Sequence, residues 1–252
     1  MSSSTTQPST APYTLIGTPF STFTRTISLG LQHKSLPYTQ LATKTQTPLA
    51  KANHPFGYLP TLIIHDQEID DEGRKGDIKL RESHAIVRYI DRVKPEPSLQ
   101  LEEGEGGVAI PEKMWEFVSF VAFFGFPILE GGVIKPRVKA LDEGKLTDAE
   151  VRSQIAEGVL EAKKFLALIE SLMAPSPSGS NQDQDQDGGY IFGDKLTWAD
   201  FFLYPIFADF RMIPEWKEIV SERLVRWTEK MDLLEAVRNT RAGTLEVGAR
   251  PV

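Results

Sequence analysis

The chain has no cysteine among its 252 residues. Disulfides, zinc-thiolate sites and a cysteine nucleophile are therefore excluded by inventory, while the redox compartment stays undetermined. The start of the chain lacks an apolar stretch with a basic flank. Met1-Ser-Ser-Ser-Thr-Thr-Gln-Pro-Ser-Thr is thus expected to be part of a disordered tail over 1–12, not a secretory signal. No apolar segment is expected to span a bilayer, and the expected location is cytoplasmic. Positive charge is in short supply: 28 Lys and Arg face 35 Asp and Glu, for a net charge of -7, and no basic stripe alternates with aromatics. That balance argues against nucleic acid or an anionic membrane as the main partner. A soluble enzyme or binding module remains, long enough for two domains with real cores.

What is present begins with alternation. Tyr13 to Ile16 reads as a strand ending at Gly17, and Phe23, Ile27 and Leu31 then recur at helical spacing. Tyr38 to Leu41 is a second strand, Pro48 to Asn53 a short helix and Thr61 to Ile64 a third strand. The polar run Asp66 to Asp77 is expected to be an elongated turn, Ile78 to Leu80 the return strand, and the helix opened by Glu82-Ser83 carries an apolar face of Leu80, Ile86, Tyr89, Ile90 and Val93. The order βαβαββα over 13–95 is that of a thioredoxin-like domain, although periodicity alone equally allows other small α/β sandwiches. Residues 96–111, with two prolines, an acidic run and three glycines, read as a linker.

From 112 to 243 the pattern is helical. Met114, Phe117, Val118 and Val121 share a face, and Pro127 is expected to kink or break that helix. Thr147-Asp-Ala-Glu150 is a capping box for a long helix whose stripe is Val151, Ile155, Val159, Ala162, Leu166, Ile169 and Met173. Residues 174–189 form a low-complexity loop too polar to bury anything. Asp183, Asp185, Asp187, Gly188 and Asp194 match an EF-hand spacing, but Asp-Gln repeats generate it by chance and no metal site is assigned. Thr197 and Asp200 form a second capping box, opening an apolar helix whose Phe201, Phe202 and Tyr204, with Phe192, read as core. Residues 244–252 read as a tail.

Two short stretches carry the functional signal. Pro60 stands directly before the strand Thr61-Leu62-Ile63-Ile64. If the Leu59-Pro60 bond is cis, the polar backbone of Leu59 faces outward as an edge for an extended peptide. Glu82-Ser83 opens a helix, where free N–H groups and the dipole favour an anion such as a ligand carboxylate. Taken singly, Pro60 ends a loop and Ser83 caps a helix. As a pair, Leu-Pro before a strand and Glu-Ser-x-Ala-Ile opening the next helix resemble the glutathione transferase superfamily.

That resemblance runs from Tyr13 to about Arg241 and implies the fold class: α+β, a thioredoxin-like βαβαββα domain followed by an all-α domain. Pro19-Phe20-Ser21-Thr22-Phe23-Thr24-Arg25 is similar to the Pro-x-Ser-x-x-Thr-Arg of phi-class and theta-like members, a serine type of the kind found in fungi. By resemblance, Ser21 is the catalytic residue that activates the glutathione thiol. Leu59 and Pro60 would hold the cysteinyl backbone of glutathione, Glu82 and Ser83 its γ-glutamyl end, and Lys44, Gln46 and Tyr58 the remainder. The pattern departs at Tyr58, where the phi class usually has Gln or Lys, and at His54, which replaces the Asn of Asn-Pro-Phe-Gly. Phe20, Phe120 and Phe124 are the candidate substrate pocket, with Phe120 and Phe124 equally assignable to core. The resemblance implies glutathione as co-substrate, a small apolar electrophile, a detoxifying role and a homodimer. Two rivals are a non-catalytic binding or dimerisation module and a glutathione-dependent isomerase.

Overall fold

The computed structural model describes residues 11–68, 73, 75–174 and 189–250. Residues 175–188 of the loop read over 174–189, with all of its EF-hand spacing but Asp194, and most of the tail over 1–12, lie outside the described residues. The chain divides into two compact units, one running to Pro97 and one from Ser98 to Arg250.

The first unit holds a four-stranded sheet in the order β2-β1-β3-β4. Strand β1 (Tyr13–Ile16) is buried along its length because it is central, parallel to β2 (Tyr38–Leu41) and antiparallel to β3 (Thr61–Glu68). Strand β4 (Lys75–Arg81) pairs antiparallel with β3 at the edge. Helices α1 (Thr22–His33), α2 (Pro48–Asn53) and α3 (Ser83–Val93) complete the thioredoxin-like order. At both ends of the elongated turn expected from Asp66 to Asp77 the described residues are strand, to Glu68 on one side and from Lys75 on the other. The ladder runs out to Glu68 and Lys75 across a bulge between Ile64 and Gln67, where Asp66 takes a left-handed φ of 56°. Polar residues satisfy such a ladder without burial, which is why hydrophobic pattern misses it. In α3 the buried face is Ile86, Val87 and Ile90, whereas Val93 is exposed.

Lys34, fully buried at the end of α1, donates to the carbonyls of Lys94, Pro95 and Pro97 at 2.8–3.0 Å and pairs with Asp91 at 3.0 Å. All three ammonium hydrogens thereby have acceptors, and the exit of α3 is tied to the exit of α1.

The second unit is helical, and Pro127 does not break its first helix. Helix α4 (Glu112–Phe120) continues through a π-wound segment, Val121–Ile134, into α5 (Lys135–Glu143). The Lys135 amide bonds the Glu130 carbonyl five residues back. Wider winding relieves the ring of Pro127, which has no N–H to place, and keeps the axis continuous. The resulting helix, Glu112–Glu143, is long and apolar enough to cross a membrane by length and composition. This corrects the expectation that no segment would be. Its buried side, including Met114, Phe117, Val121, Leu129 and Val133, packs on helices α6 (Asp148–Leu172) and α7 (Trp198–Phe210).

The crossing with α6 is tight at Gly132 and Gly158, since a Cβ on Gly158 would lie 2.2 Å from the Gly132 carbonyl oxygen. Both capping boxes form. The buried Asp200 carboxylate accepts from the Thr197 amide, the Thr197 hydroxyl, the Ile191 amide and the Trp227 indole at 2.8–2.9 Å. Burial pushes the Asp200 carboxyl up, against the pull of those four bonds.

Helices α8 (Trp216–Ile219), α9 (Glu222–Asp232) and α10 (Glu235–Asn239) finish the unit. Two segments read as irregular are packed onto it. In 98–111, Leu99 and Leu101 are buried and Lys195 donates to Glu105 at 2.6 Å. Beyond residue 243, Leu245 is buried and Glu246 pairs with Arg211 and Arg241, so most of the expected tail is structured.

Candidate functional site

The register of the sheet assembles the site in the first unit. Ile16, Thr61 and Arg81 stand side by side across β1, β3 and β4. The segment after β1 that carries Ser21, the Leu59-Pro60 segment before β3 and the Glu82-Ser83 segment after β4 therefore all emerge at one end of the sheet.

Ser21 is the N-cap of α1. Its Oγ accepts from the Thr24 amide at a long 3.5 Å, and its carbonyl accepts from the Arg25 amide at 2.9 Å. The residue is half-buried, and among the described residues its hydroxyl proton has no acceptor. A group arriving at this helix start meets an O–H donor backed by the positive end of the dipole.

The Leu59-Pro60 bond is cis, as the peptide-edge reading supposes. Neither the amide nor the carbonyl of Leu59 has a backbone partner among the described residues.

Glu82 occupies the N-cap position of α3 with φ 64° and ψ 122°, a backbone conformation costly for a side chain with a Cβ, and its own carboxylate does not cap the helix. Its carbonyl accepts from the Ala85 and Ile86 amides, both at 3.0 Å. The amide and hydroxyl of Ser83, the first helical residue, have no partner among the described residues. An anion is served there by a backbone N–H, a hydroxyl and the dipole, with an anionic carboxylate alongside for a cation. Next to it, burial and the nearby Arg88 hold the His84 ring below its ordinary range, against a smaller opposing pull from Glu82.

The remaining assigned residues fall into two groups. Gln46 is exposed at φ 65°, and its side-chain nitrogen donates to the Phe56 carbonyl at 2.8 Å while its amide donates to that of Gly57. It braces the loop ahead of Leu59. Lys44 is exposed, and its ammonium has no partner among the described residues. Tyr58 is exposed and sets its ring edgewise against His54, 5.9 Å between centroids. Phe20 is half-buried in the first unit. In the second, Phe120 is half-buried and Phe124 is 55 % exposed, with 6.0 Å between their ring centroids. Phe124 is therefore not core. Among the described residues no group of three His, Asp or Glu is placed to hold a metal.

Two residues absent from the sequence assignment tie the site together. His54, at the end of α2 and 3 % exposed, lies 3.3 Å from the Glu82 carboxylate. Arg81 donates to the Asn53 carbonyl at 2.6 Å. Only the departure of His54 from Asn-Pro-Phe-Gly marked it in the sequence.

Comparison with known proteins follows the same division of the chain. Residues 15–98 match the model of the glutathione S-transferase N-terminal domain and residues 152–230 that of the C-terminal domain. A search of curated proteins returns no match. Among solved structures, glutathione transferase F7 from Populus trichocarpa is 20 % identical, with TM-score 0.64 over 90 % of this chain and 97 % of its own. Glutathione S-transferase III in apo form is 20 % identical, with TM-score 0.65 over 96 % and 100 %. A glutathione transferase family member from Pseudomonas fluorescens pf-5, with two glutathione molecules bound, is 18 % identical, with TM-score 0.66 over 92 % and 94 %.

Proposed function

The chain belongs to the glutathione S-transferase superfamily, and on that premise we propose that it is a serine-type glutathione transferase acting on an apolar electrophile. The observation that carries the reading is the single row Ile16, Thr61 and Arg81, which gathers at one sheet end three segments with unspent hydrogen-bonding groups.

Glutathione suits that arrangement. Its γ-glutamyl carboxylate goes to the Ser83 amide and hydroxyl, and its ammonium to the Glu82 carboxylate. The cysteinyl amide and carbonyl pair with Leu59 as an added strand, and Lys44 is the available cation for the glycyl carboxylate. The thiol then lies at the start of α1, where the Ser21 hydroxyl donates to sulfur and favours the thiolate. The thiol proton leaves to solvent and the sulfur lone pair forms the bond to the electrophilic carbon, whose leaving group departs with its bonding pair or, on an activated double bond, whose π pair shifts to the neighbouring atom and takes a proton from solvent; Ser21 keeps its own proton. Phe20, in the same unit, is the candidate contact for the apolar electrophile. The proposal includes a cytoplasmic homodimer.

Calorimetric titration with glutathione, followed by mass spectrometry of products from a panel of electrophiles, tests it. Binding together with thioether products is expected. Binding without products would leave a non-catalytic module, and conversion without consumption of glutathione an isomerase.

A further inference from the structure

We propose that His54 is a positioning residue that holds the Glu82 carboxylate for the ligand ammonium and fixes it in register with the loop leading to Leu59. The inference rests on the glutathione reading above and adds to it a residue outside the ligand contacts.

The imidazole has a defined tautomer. Its Nδ1 accepts the Phe56 amide at 3.1 Å, so in the neutral ring the proton sits on Nε2, 3.3 Å from Glu82 Oε1, to which it donates. Such a bond orients the carboxylate without cancelling its charge. The Glu82 side chain is 77 % exposed. Without a tether it would lose rotamer freedom on meeting the ligand, so a tether made beforehand lowers that cost. One oxygen is engaged by His54 and the other is left for an ammonium.

The same ring fixes the other half of the site. Phe56 is gripped at both ends of its residue, its N–H by His54 and its carbonyl by Gln46 at 2.8 Å. The ring also contacts Phe56 and Tyr58, at 6.1 and 5.9 Å between centroids. The adjacent Arg81 holds the Asn53 carbonyl, so consecutive residues of the β4–α3 junction grip consecutive residues at the end of α2. The spacing between the peptide edge and the anion site is thereby set through His54.

Two conservative variants separate its bonds, because an Asn oxygen sits where Nδ1 sits and a Gln nitrogen where Nε2 sits. His54→Asn keeps the acceptor for Phe56 and loses the donor to Glu82. It should weaken glutathione binding about tenfold and raise KM without lowering kcat. His54→Gln keeps the donor and should restore affinity to within about threefold of the parent. In a Glu82→Ala background, His54→Asn should cause no further loss. Without any change at His54, Glu82→Ala should also speed hydrogen exchange at the Phe56 amide. Equal losses in the Asn and Gln variants, an undiminished loss in the Glu82→Ala background, or unchanged Phe56 exchange would overturn the inference and leave the transferase reading intact. A parent that binds no glutathione would overturn both.

Discussion

Glu82 shows at the residue scale how function and stability oppose one another. A side chain at φ 64° is strained, and nothing in Leu-Arg-Glu-Ser announces it, because the conformation is imposed by the passage from β4 into α3. Glu82→Gly should therefore be more stable than Glu82→Ala, by about 1 to 2 kcal/mol in urea unfolding, since only glycine relieves that φ. Both should bind glutathione about ten- to a hundredfold more weakly, as a charge-assisted partner is lost. Ser83→Ala should weaken binding in the same direction with its unfolding midpoint unchanged, and calorimetry reads both effects. The type of residue at each corner of the site was legible: a serine before a helix, Leu-Pro before a strand, Glu-Ser before the next helix. The partnerships were not. His54 and Glu82 lie 28 positions apart and meet only through the fold, as do Gln46 and the Phe56 carbonyl to which its side chain donates.

At the scale of elements, the signals that read correctly are local ones. Thr147 with Glu150 and Thr197 with Asp200 cap their helices as their spacing requires, because both bonds of a capping box are made within four residues. Pro127 misleads because its effect is not local. The backbone there rewinds into a π segment that is held against α6, and the proline is absorbed. Gly158→Ala tests that packing. Its new Cβ would overlap the Gly132 carbonyl, and a loss of about 1 to 3 kcal/mol is expected in the denaturant midpoint. Asp200→Ala should cost more, about 3 to 5 kcal/mol, because the Ile191 amide and Trp227 indole would be left buried without an acceptor. Neither change touches the first unit, so glutathione affinity measured well below the melting temperature should be retained.

The whole molecule carries a net charge of -7, so under the proposed function the attraction of glutathione, itself an anion, would fall to local groups: two helix starts, Ser83 and Lys44. The two-part organisation was legible because hydrophobic period changes from strands and helices to helices alone. The proposed homodimer predicts a sedimentation mass of about twice 28.2 kDa at micromolar concentration, and a mass of one chain would remove it. Under the proposed function the molecule turns glutathione into a nucleophile at Ser21. A free thiol of this type ionises near pH 8.5, leaving roughly 3 per cent thiolate at pH 7; a downward shift of about two units would make about three quarters of it thiolate. Titration of enzyme-bound glutathione, followed by the ultraviolet absorbance of the thiolate, measures that shift directly. The parent should ionise near pH 6.5 and Ser21→Ala within about half a unit of the free thiol; a bound thiol that titrates at the same pH in both proteins would mean that Ser21 does not activate it.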